Sequence, residues 1–393
     1  MTDEVAPGRW RALAVLATAM LLAMTTWFSA SAVVPQLRAE WALTAGAAAL
    51  LTIAVQVGFV VGAVASAVLT LSDVLPPRRV MLLGALGAAV ANLGLLLADG
   101  PALAVPLRAA TGMFLAGVYP PGLKAMSSWF RRDRGLALGV MVGALTVGSA
   151  VPHLVNAAGG LDWRLVIATT SALTLVGGLL AELAVTDGPH PFPRARFEPR
   201  QVLAVLRDRR VRLASLGYLG HMWELYAMWA WIVVFYAVAF EAAGGAPTWA
   251  APAATFATIG VGAAGCVVGG RLADRRGRAW LTSLAMGLSG TASLVIGGTL
   301  GAPAWVPVVV GLAWGFWVVA DSAQFSTIVT EVADQRYVGT ALTLQLALGF
   351  SLTVVTIWLV PLVAEAASWR WAFVLLAPGP ALGTWAMQRL RPL

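Results

Sequence analysis

Long apolar runs, separated by short groups of charged residues, prolines and glycines, cover almost the whole chain. About 20 apolar residues in a helix, at a rise of about 1.5 Å each, cross a hydrocarbon layer about 30 Å thick. The runs are uninterrupted rather than alternating in polarity, which favours helices over the strands of a barrel. The pattern predicts twelve transmembrane helices, at 10–34, 44–71, 80–98, 102–130, 135–158, 163–185, 212–240, 250–270, 279–300, 304–330, 338–364 and 369–388.

The composition supports an all-α membrane protein, because 59% of the 393 residues are hydrophobic, 11% are charged and the mean hydropathy is +0.81. The formal charge of +8 could indicate nucleic-acid binding, but the arginines lie in short groups between apolar runs, which is a signal of membrane topology. Most basic residues fall on one side of the membrane when both termini are cytoplasmic. We therefore expect an integral protein of a prokaryotic cytoplasmic membrane with both termini inside.

The two halves of the chain repeat each other in sequence. Trp163 and Arg164 open predicted span 6, and Trp369 and Arg370 open predicted span 12 at the equivalent point. This repeat predicts an N-terminal six-helix bundle at 1–186, a cytoplasmic linker at 187–210 and a C-terminal six-helix bundle at 211–393. A parallel repeat of this kind puts a solute site between the bundles near the membrane midplane.

Predicted span 8 is followed by Gly-Gly-Arg-Leu-Ala-Asp-Arg-Arg-Gly-Arg at 269–278. This segment resembles the loop signature of the major facilitator superfamily. An aspartate at a helix end can pair with arginines and stabilise one access state, so the segment predicts a conformational latch. The equivalent loop at 72–79 keeps an aspartate and two arginines but has two prolines between them. The predicted latch residues are Asp73, Arg78, Asp274, Arg275 and Arg278.

Two further segments resemble the same family. Span 4 contains Arg-Ala-Ala-Thr-Gly at 108–112, similar to its second signature, and Arg-Arg-Asp-Arg-Gly at 131–135 leads into span 5. Span 5 lacks the Gly-Pro step that is usual in the drug-proton antiporters of the family. The segment Tyr-Pro-Pro-Gly-Leu-Lys at 119–124 looks more like members that move small organic anions. The resemblance implies a secondary transporter that works by alternating access.

A charge within a span is costly and usually faces a cavity or a partner, and the candidates among the ionisable residues there are Arg108, Lys124, His221, Glu224 and Asp321. Lys124 is the only lysine in the chain, which indicates a position where a compact ammonium is wanted. His221 precedes Glu224 by one helical turn, so we expect these two side chains to hydrogen-bond. The candidate solute-binding residues are Lys124, Arg108, Tyr119, Trp223, Trp317 and Gln324, and the candidate proton-coupling residues are Asp321, Glu224 and His221.

Several functions remain open at this point. The first is a proton-coupled carrier of a small organic anion, and the second is drug or metabolite efflux by proton antiport. Carriage of a soft metal ion would use His221, Met222 and Met228 on span 7, but the two methionines do not share a tight face and nothing else there supplies thiolates. A membrane-embedded receptor or enzyme is the alternative from another class, although neither a metal-ligand pair nor a nucleotide loop appears. We expect a monomer that meets solute, protons and lipid, without cofactor, metal or nucleic acid.

Overall fold

The chain is helical throughout the part that the computed structural model describes, which comprises residues 6–69, 71–130, 133–159, 162–190, 199–334 and 338–390, without the side chains at 72, 73 and 199. The α-helices are α1 Arg9–Ala23, α2 Val34–Trp41, α3 Ala45–Val68, α4 Leu71–Val74, α5 Pro77–Leu93, α6 Pro101–Leu115, α7 Tyr119–Ser127, α8 Arg134–Ala158, α9 Trp163–Ala184, α10 Val202–Arg207, α11 Arg209–Ala242, α12 Ala250–Gly260, α13 Gly262–Arg276, α14 Arg278–Val295, α15 Trp305–Ala320, α16 Ser322–Val332, α17 Val338–Ala366, α18 Trp369–Ala372 and α19 Pro378–Leu390.

Ten helical segments among the described residues are long and apolar enough to cross a membrane. They confirm an integral membrane protein built of helices, and they begin and end within a few residues of the predicted spans 2 to 11. Spans 4, 8 and 10 each consist of two consecutive helices, α6 with α7, α12 with α13, and α15 with α16.

The first predicted span is not one straight helix. The segments Arg9–Thr26 and Ser31–Trp41 meet at an angle of 48°. Thr25, Thr26, Ser29 and Ser31 lie at this break, and their hydroxyl groups bond to backbone carbonyls and to other buried polar side chains. Hydroxyl groups that offer the backbone such alternatives weaken a helix locally, which accounts for the break.

The last predicted span is also interrupted. The short α18 leads through a 3-10 turn at Val374–Leu376 into α19, which begins at Pro378. Pro378 and Pro380 carry no backbone N–H, so they suit the first turn of a new helix better than the middle of a long one.

Glycines allow the helices of each half to touch through their backbones. A Cβ atom on Gly58 of α3 would lie 1.9 Å from the carbonyl oxygen of Ala109 in α6. A Cβ atom on Gly265 of α13 would lie 2.1 Å from the carbonyl oxygen of Phe316 in α15. Close approach of this kind is how small residues join helices in lipid.

Ion pairs mark the two ends of the bundle. We call the end that carries the start of α1 and the end of α19 the terminal face, and there Arg9 pairs with Asp133 at 2.8 Å. Across the bundle from it, on the opposite face, Arg164 pairs with Glu40 at 2.7 Å. The two halves pack together through α3 against α17 and through α8 against α12 and α13.

Candidate functional site

A cavity of about 360 Å³ lies between the two halves of the chain. Its walls come from α3, α7 and α8 on one side and from α11, α15, α16 and α17 on the other. Its volume falls at the small end of the range of roughly 300–1,000 Å³ that is usual for ligand sites. The lining side chains that matter most below are Ser66, Tyr119, Lys124, Ser127, Arg134, Tyr218, His221, Tyr226, Trp229, Ser322, Thr330 and Phe350.

Six aromatic side chains close one end of the cavity, three from each half. We call this cluster the aromatic plug; it consists of Trp27, Phe28, Phe59, Tyr226, Trp229 and Phe350. The ring centroids of Phe59 and Phe350 are 4.6 Å apart, and those of Trp27 and Tyr226 are 5.9 Å apart. Trp27 and Trp229 are fully buried, and their indole nitrogens have no hydrogen-bond partner among the described residues.

His221 lies in the cavity wall and connects α11 to the break between α15 and α16. Its Nδ1 atom is 3.0 Å from Oδ1 of Asp321, and its Nε2 atom is 2.9 Å from the hydroxyl of Ser322. Asp321 is the residue at which α15 ends and α16 begins. Its carboxylate is 1% exposed, and neither oxygen accepts a hydrogen bond of regular geometry from another described residue. The carboxyl group of Asp321 therefore faces the imidazole ring directly.

Glu224 lies behind the cavity rather than in its wall. Its Oε1 atom accepts a hydrogen bond of 2.7 Å from Nε1 of Trp314, and its Oε2 atom accepts one of 2.7 Å from the hydroxyl of Ser289. The prediction that His221 and Glu224 hydrogen-bond to each other is wrong, because each side chain bonds to other residues. The two residues are one turn apart on α11, but His221 turns towards α16 while Glu224 turns towards α14 and α15.

Lys124 and Tyr119 both line the cavity from α7. Span 4 breaks after Leu115, and α7 begins at Tyr119 with Pro120 and Pro121 in its first turn. Proline is well suited to a helix start, where its missing N–H costs nothing. The break turns this short helix so that Tyr119, Leu123 and Lys124 face the C-terminal half.

Arg108 is fully buried but does not reach the cavity. Its guanidinium donates hydrogen bonds to the carbonyl oxygens of Leu51, Thr26 and Trp27, and to the side chains of Ser29 and Asn92. Three of these partners belong to the broken part of the first span. Arg108 therefore supplies donors to backbone carbonyls that the broken helix leaves open, and its position contradicts direct contact with a solute in this cavity.

Three other candidate solute-binding residues also lie outside the cavity wall. Trp223 donates from Nε1 to the carbonyl oxygen of Leu375 at 3.0 Å, and Trp317 packs edge-on against Phe316. Gln324 is buried and accepts a hydrogen bond of 2.7 Å from Arg278. The contacts of Trp223 and Gln324 tie helices of the C-terminal half to each other, while that of Trp317 stays within α15.

One of the predicted latch residues, Asp274, contacts the other half at the terminal face. The Oδ1 atom of Asp274 lies 2.7 Å from the position that a Cβ atom on Gly135 would take, so its carboxylate rests against the first turn of α8. A carboxylate is stabilised near a helix N-terminus by the exposed backbone N–H groups. Arg278 is 3.8 Å from Asp274 and forms a closer pair, 2.8 Å, with Glu331.

The remaining latch residues make smaller contributions to this picture. Arg275 is exposed beside Asp274, and Arg78 is half-buried at the start of α5. The side chain of Asp73 lies outside the described residues. No group of three or more metal-ligating side chains occurs in the described part of the chain.

Sequence reasoning missed several residues that the structure brings to the site. Tyr218, Tyr226 and Trp229 lie with Met222 along one stripe of α11, and Phe350 faces them from α17. Positions 218, 222, 226 and 229 are spaced by four, four and three residues, a signal that could have selected these aromatic residues ahead of Trp223.

Together, these features define a polytopic helical membrane protein with a small solute-sized cavity between its two halves and a charged contact between the halves at one face. The family model of the Major Facilitator Superfamily matches residues 16–352, and the chain belongs to this family. Family membership indicates a secondary transporter, and members of the family are not enzymes. No curated protein matches the chain.

Proposed function

We propose that the protein moves a small organic anion across the membrane by alternating access, with coupling to protons. The observation that carries this proposal is the charge of the cavity wall. Lys124, Arg134 and His221 are the ionisable side chains with positive or potentially positive charge in the described wall, and no aspartate or glutamate is among the described lining residues. The described lining residues therefore carry a net positive charge, which favours an anion.

The proposed carrier has twelve spans in two six-helix bundles, 1–186 and 211–393, joined by a cytoplasmic linker at 187–210. The helix breaks support the repeat. Span 4 pauses before Tyr119 and span 10 pauses before Ser322, and Trp305 begins α15 just 204 positions after Pro101 begins α6. The terminal face is the cytoplasmic face in this proposal, because the basic loops lie there.

Proton coupling rests on His221, Asp321 and Glu224. His221 and Asp321 form a buried pair at the cavity wall, and one added proton turns a neutral pair into a cationic one. That charge attracts an anion in the adjoining cavity, so anion and proton favour each other's binding. Glu224, held by Trp314 and Ser289, is a second buried carboxyl on the same helix and completes the proposed proton path.

The latch contact between Asp274 and the start of α8 favours the arrangement in which the halves touch at the terminal face. Because it is remote from the plug, it acts on the exchange between access states rather than on solute affinity. Alternating access then requires this contact and the aromatic plug to open in turn.

One observation favours the second function, proton-coupled efflux of drugs or metabolites. The aromatic wall formed by Tyr226, Trp229 and Phe350 suits greasy compounds. A broad range of lipophilic cations among the ligands would select this alternative over an anion carrier, since Lys124 and Arg134 oppose a cation.

The coupling test compares two transport modes in proteoliposomes. Asp321→Asn and Glu224→Gln should each abolish uptake driven by a pH gradient while leaving counterflow at equal solute concentrations within about threefold, because exchange needs no net proton movement. Glu241→Gln is the matched control, since it makes the same change at an exposed site near the far end of α11.

Two results would contradict the proposal. Gradient-driven uptake that survives both substitutions with its pH dependence unchanged would return Asp321 and Glu224 to a structural role. Counterflow that is absent for every solute bound by the unmodified protein would remove carrier function itself.

A further inference from the structure

The two ends of the cavity differ in chemistry. At the end towards the terminal face, the wall contains Ser66, Lys124, Ser127, Arg134 and Thr330. Each of these residues lies within three positions of the end of its helix, which is about 5 Å at about 1.5 Å per residue. This end of the cavity therefore offers cations and hydroxyl groups close to the terminal face.

The other end is aromatic and apolar. Tyr226, Trp229 and Phe350 of the aromatic plug form the floor, with Met222 and Leu225 beside them. Phe350 is 12 positions from the start of α17, which puts it about 18 Å deeper than that helix end. Ring faces and edges in such a cluster bind another ring better than they bind an open chain of the same area.

We propose that the solute is an amphipathic monocarboxylate whose body is a single aromatic ring system. Its carboxylate lies at the Lys124 end, and its ring lies against Tyr226, Trp229 and Phe350. The inference rests on the proposed carrier function and narrows it to one class of anion. A cavity of about 360 Å³ accommodates one such molecule with some water, and an aromatic floor leaves a second carboxylate without a partner.

In this orientation the solute contacts the part of the carrier that has to open. The ring of the solute would touch the aromatic plug itself, which holds the halves together at the deep end of the cavity. The ring of the solute thus lies against the aromatic plug, and its carboxylate lies towards the terminal face.

Binding to the purified full-length protein tests the inference with matched probes. Phenylacetate is compared with phenylacetamide, which keeps the ring and loses the charge, and with phenethylamine, which reverses the charge. Acetate and succinate keep the charge and lose the ring. Thermal shift and calorimetry should show phenylacetate binding at least tenfold more tightly than each of the other four probes.

Two variants separate the ends of the cavity. Lys124→Gln should reduce the preference for phenylacetate over phenylacetamide to less than about threefold, and Lys124→Arg should restore part of it. Trp229→Leu should weaken phenylacetate at least tenfold without strengthening acetate. The controls are Arg207→Gln, an exposed cation in the linker, and Trp385→Leu, an exposed ring on α19.

Each outcome decides the inference. Succinate, acetate, phenylacetamide or phenethylamine binding as tightly as phenylacetate would overturn it, as would no binding of phenylacetate at all. A Trp229→Leu protein that is folded by thermal shift and binds phenylacetate normally would overturn the proposed orientation. Tight phenylacetate binding without counterflow would confirm the ligand class and contradict the carrier function, so the two failures are distinguishable.

Discussion

In the proposed alternating-access cycle, Gly139 offers a direct way to shift the balance between access states. A Cβ atom at this position of α8 would lie 2.7 Å from the carbonyl oxygen of Cys266 in α13. Contacts between carbon and carbonyl oxygen are usually about 3.3–3.6 Å, so Gly139→Ala must move the two helices apart by roughly half an ångström or more. Overpacking of this kind costs about 1–3 kcal/mol.

The cost applies to one arrangement of the halves, because α8 and α13 lie in different halves. An arrangement in which they separate avoids it. The ratio of separated to closed molecules should therefore rise by roughly 5- to 150-fold in Gly139→Ala.

Two neighbouring glycines on α8 serve as controls. A Cβ atom on Gly143 would lie 3.3 Å from Ala263, so Gly143→Ala should shift the ratio much less. A Cβ atom on Gly148 would lie 2.3 Å from the carbonyl oxygen of Leu21 in the same half. Gly148→Ala should therefore lower thermal stability without changing the ratio.

Electron paramagnetic resonance measures the ratio as a distance distribution between spin labels at Arg11 and Arg212, one on each half, in a Cys266→Ser background. Both positions are exposed at the terminal face. A Gly139→Ala distribution equal to that of the unmodified protein, or an equal shift in Gly143→Ala, would refute the reasoning.

Three further outcomes are expected. Asp274→Asn should slow counterflow about two- to fivefold, because it removes a charge worth roughly 0.3–1 kcal/mol at the start of α8. Solute affinity, measured by calorimetry, should stay within about threefold. Equal loss of transport and affinity would contradict a latch. Arg108→Ala should destabilise the protein by more than about 3 kcal/mol in denaturant titration, because it leaves buried carbonyls unpaired. Arg108→Lys should not restore stability, and full rescue by lysine would show that charge alone matters. Trp129→Phe should speed trypsin cleavage of the linker roughly fivefold and leave counterflow unchanged, because it removes the 3.0 Å hydrogen bond from Nε1 to the carbonyl oxygen of Thr186. An unchanged cleavage rate would show that this hydrogen bond does not hold the start of the linker.

The helices could be predicted from the sequence because their length and apolarity are set by the bilayer. Spans 2 to 11 begin and end close to the expected residues for this reason. The break in the first span was missed, since the hydrophobic run continues through it. Thr25, Thr26 and Ser29 were the available signal, and their bonds to neighbouring helices, together with those from Arg108, stabilise the interruption.

The candidate site was predictable in part. The cost of burying a charge in the membrane pointed to the five candidate residues, of which Lys124 and His221 line the cavity. Their partners were not predictable, because they depend on how each helix is rotated. His221 meets Asp321 across 100 positions of sequence, while Arg108 turns into a cage of carbonyls formed by the broken first span.

Two buried tryptophans of the aromatic plug affect how easily the plug opens. Trp27 and Trp229 keep their indole N–H groups buried and without partners among the described residues. A buried donor without a protein partner costs about 1–3 kcal/mol unless water reaches it. Water that enters as the rings part would satisfy both groups and recover this energy. Ring packing thus favours the closed plug, while the two buried indole N–H groups favour its opening. The barrier to opening is therefore lower than the buried aromatic area alone would suggest.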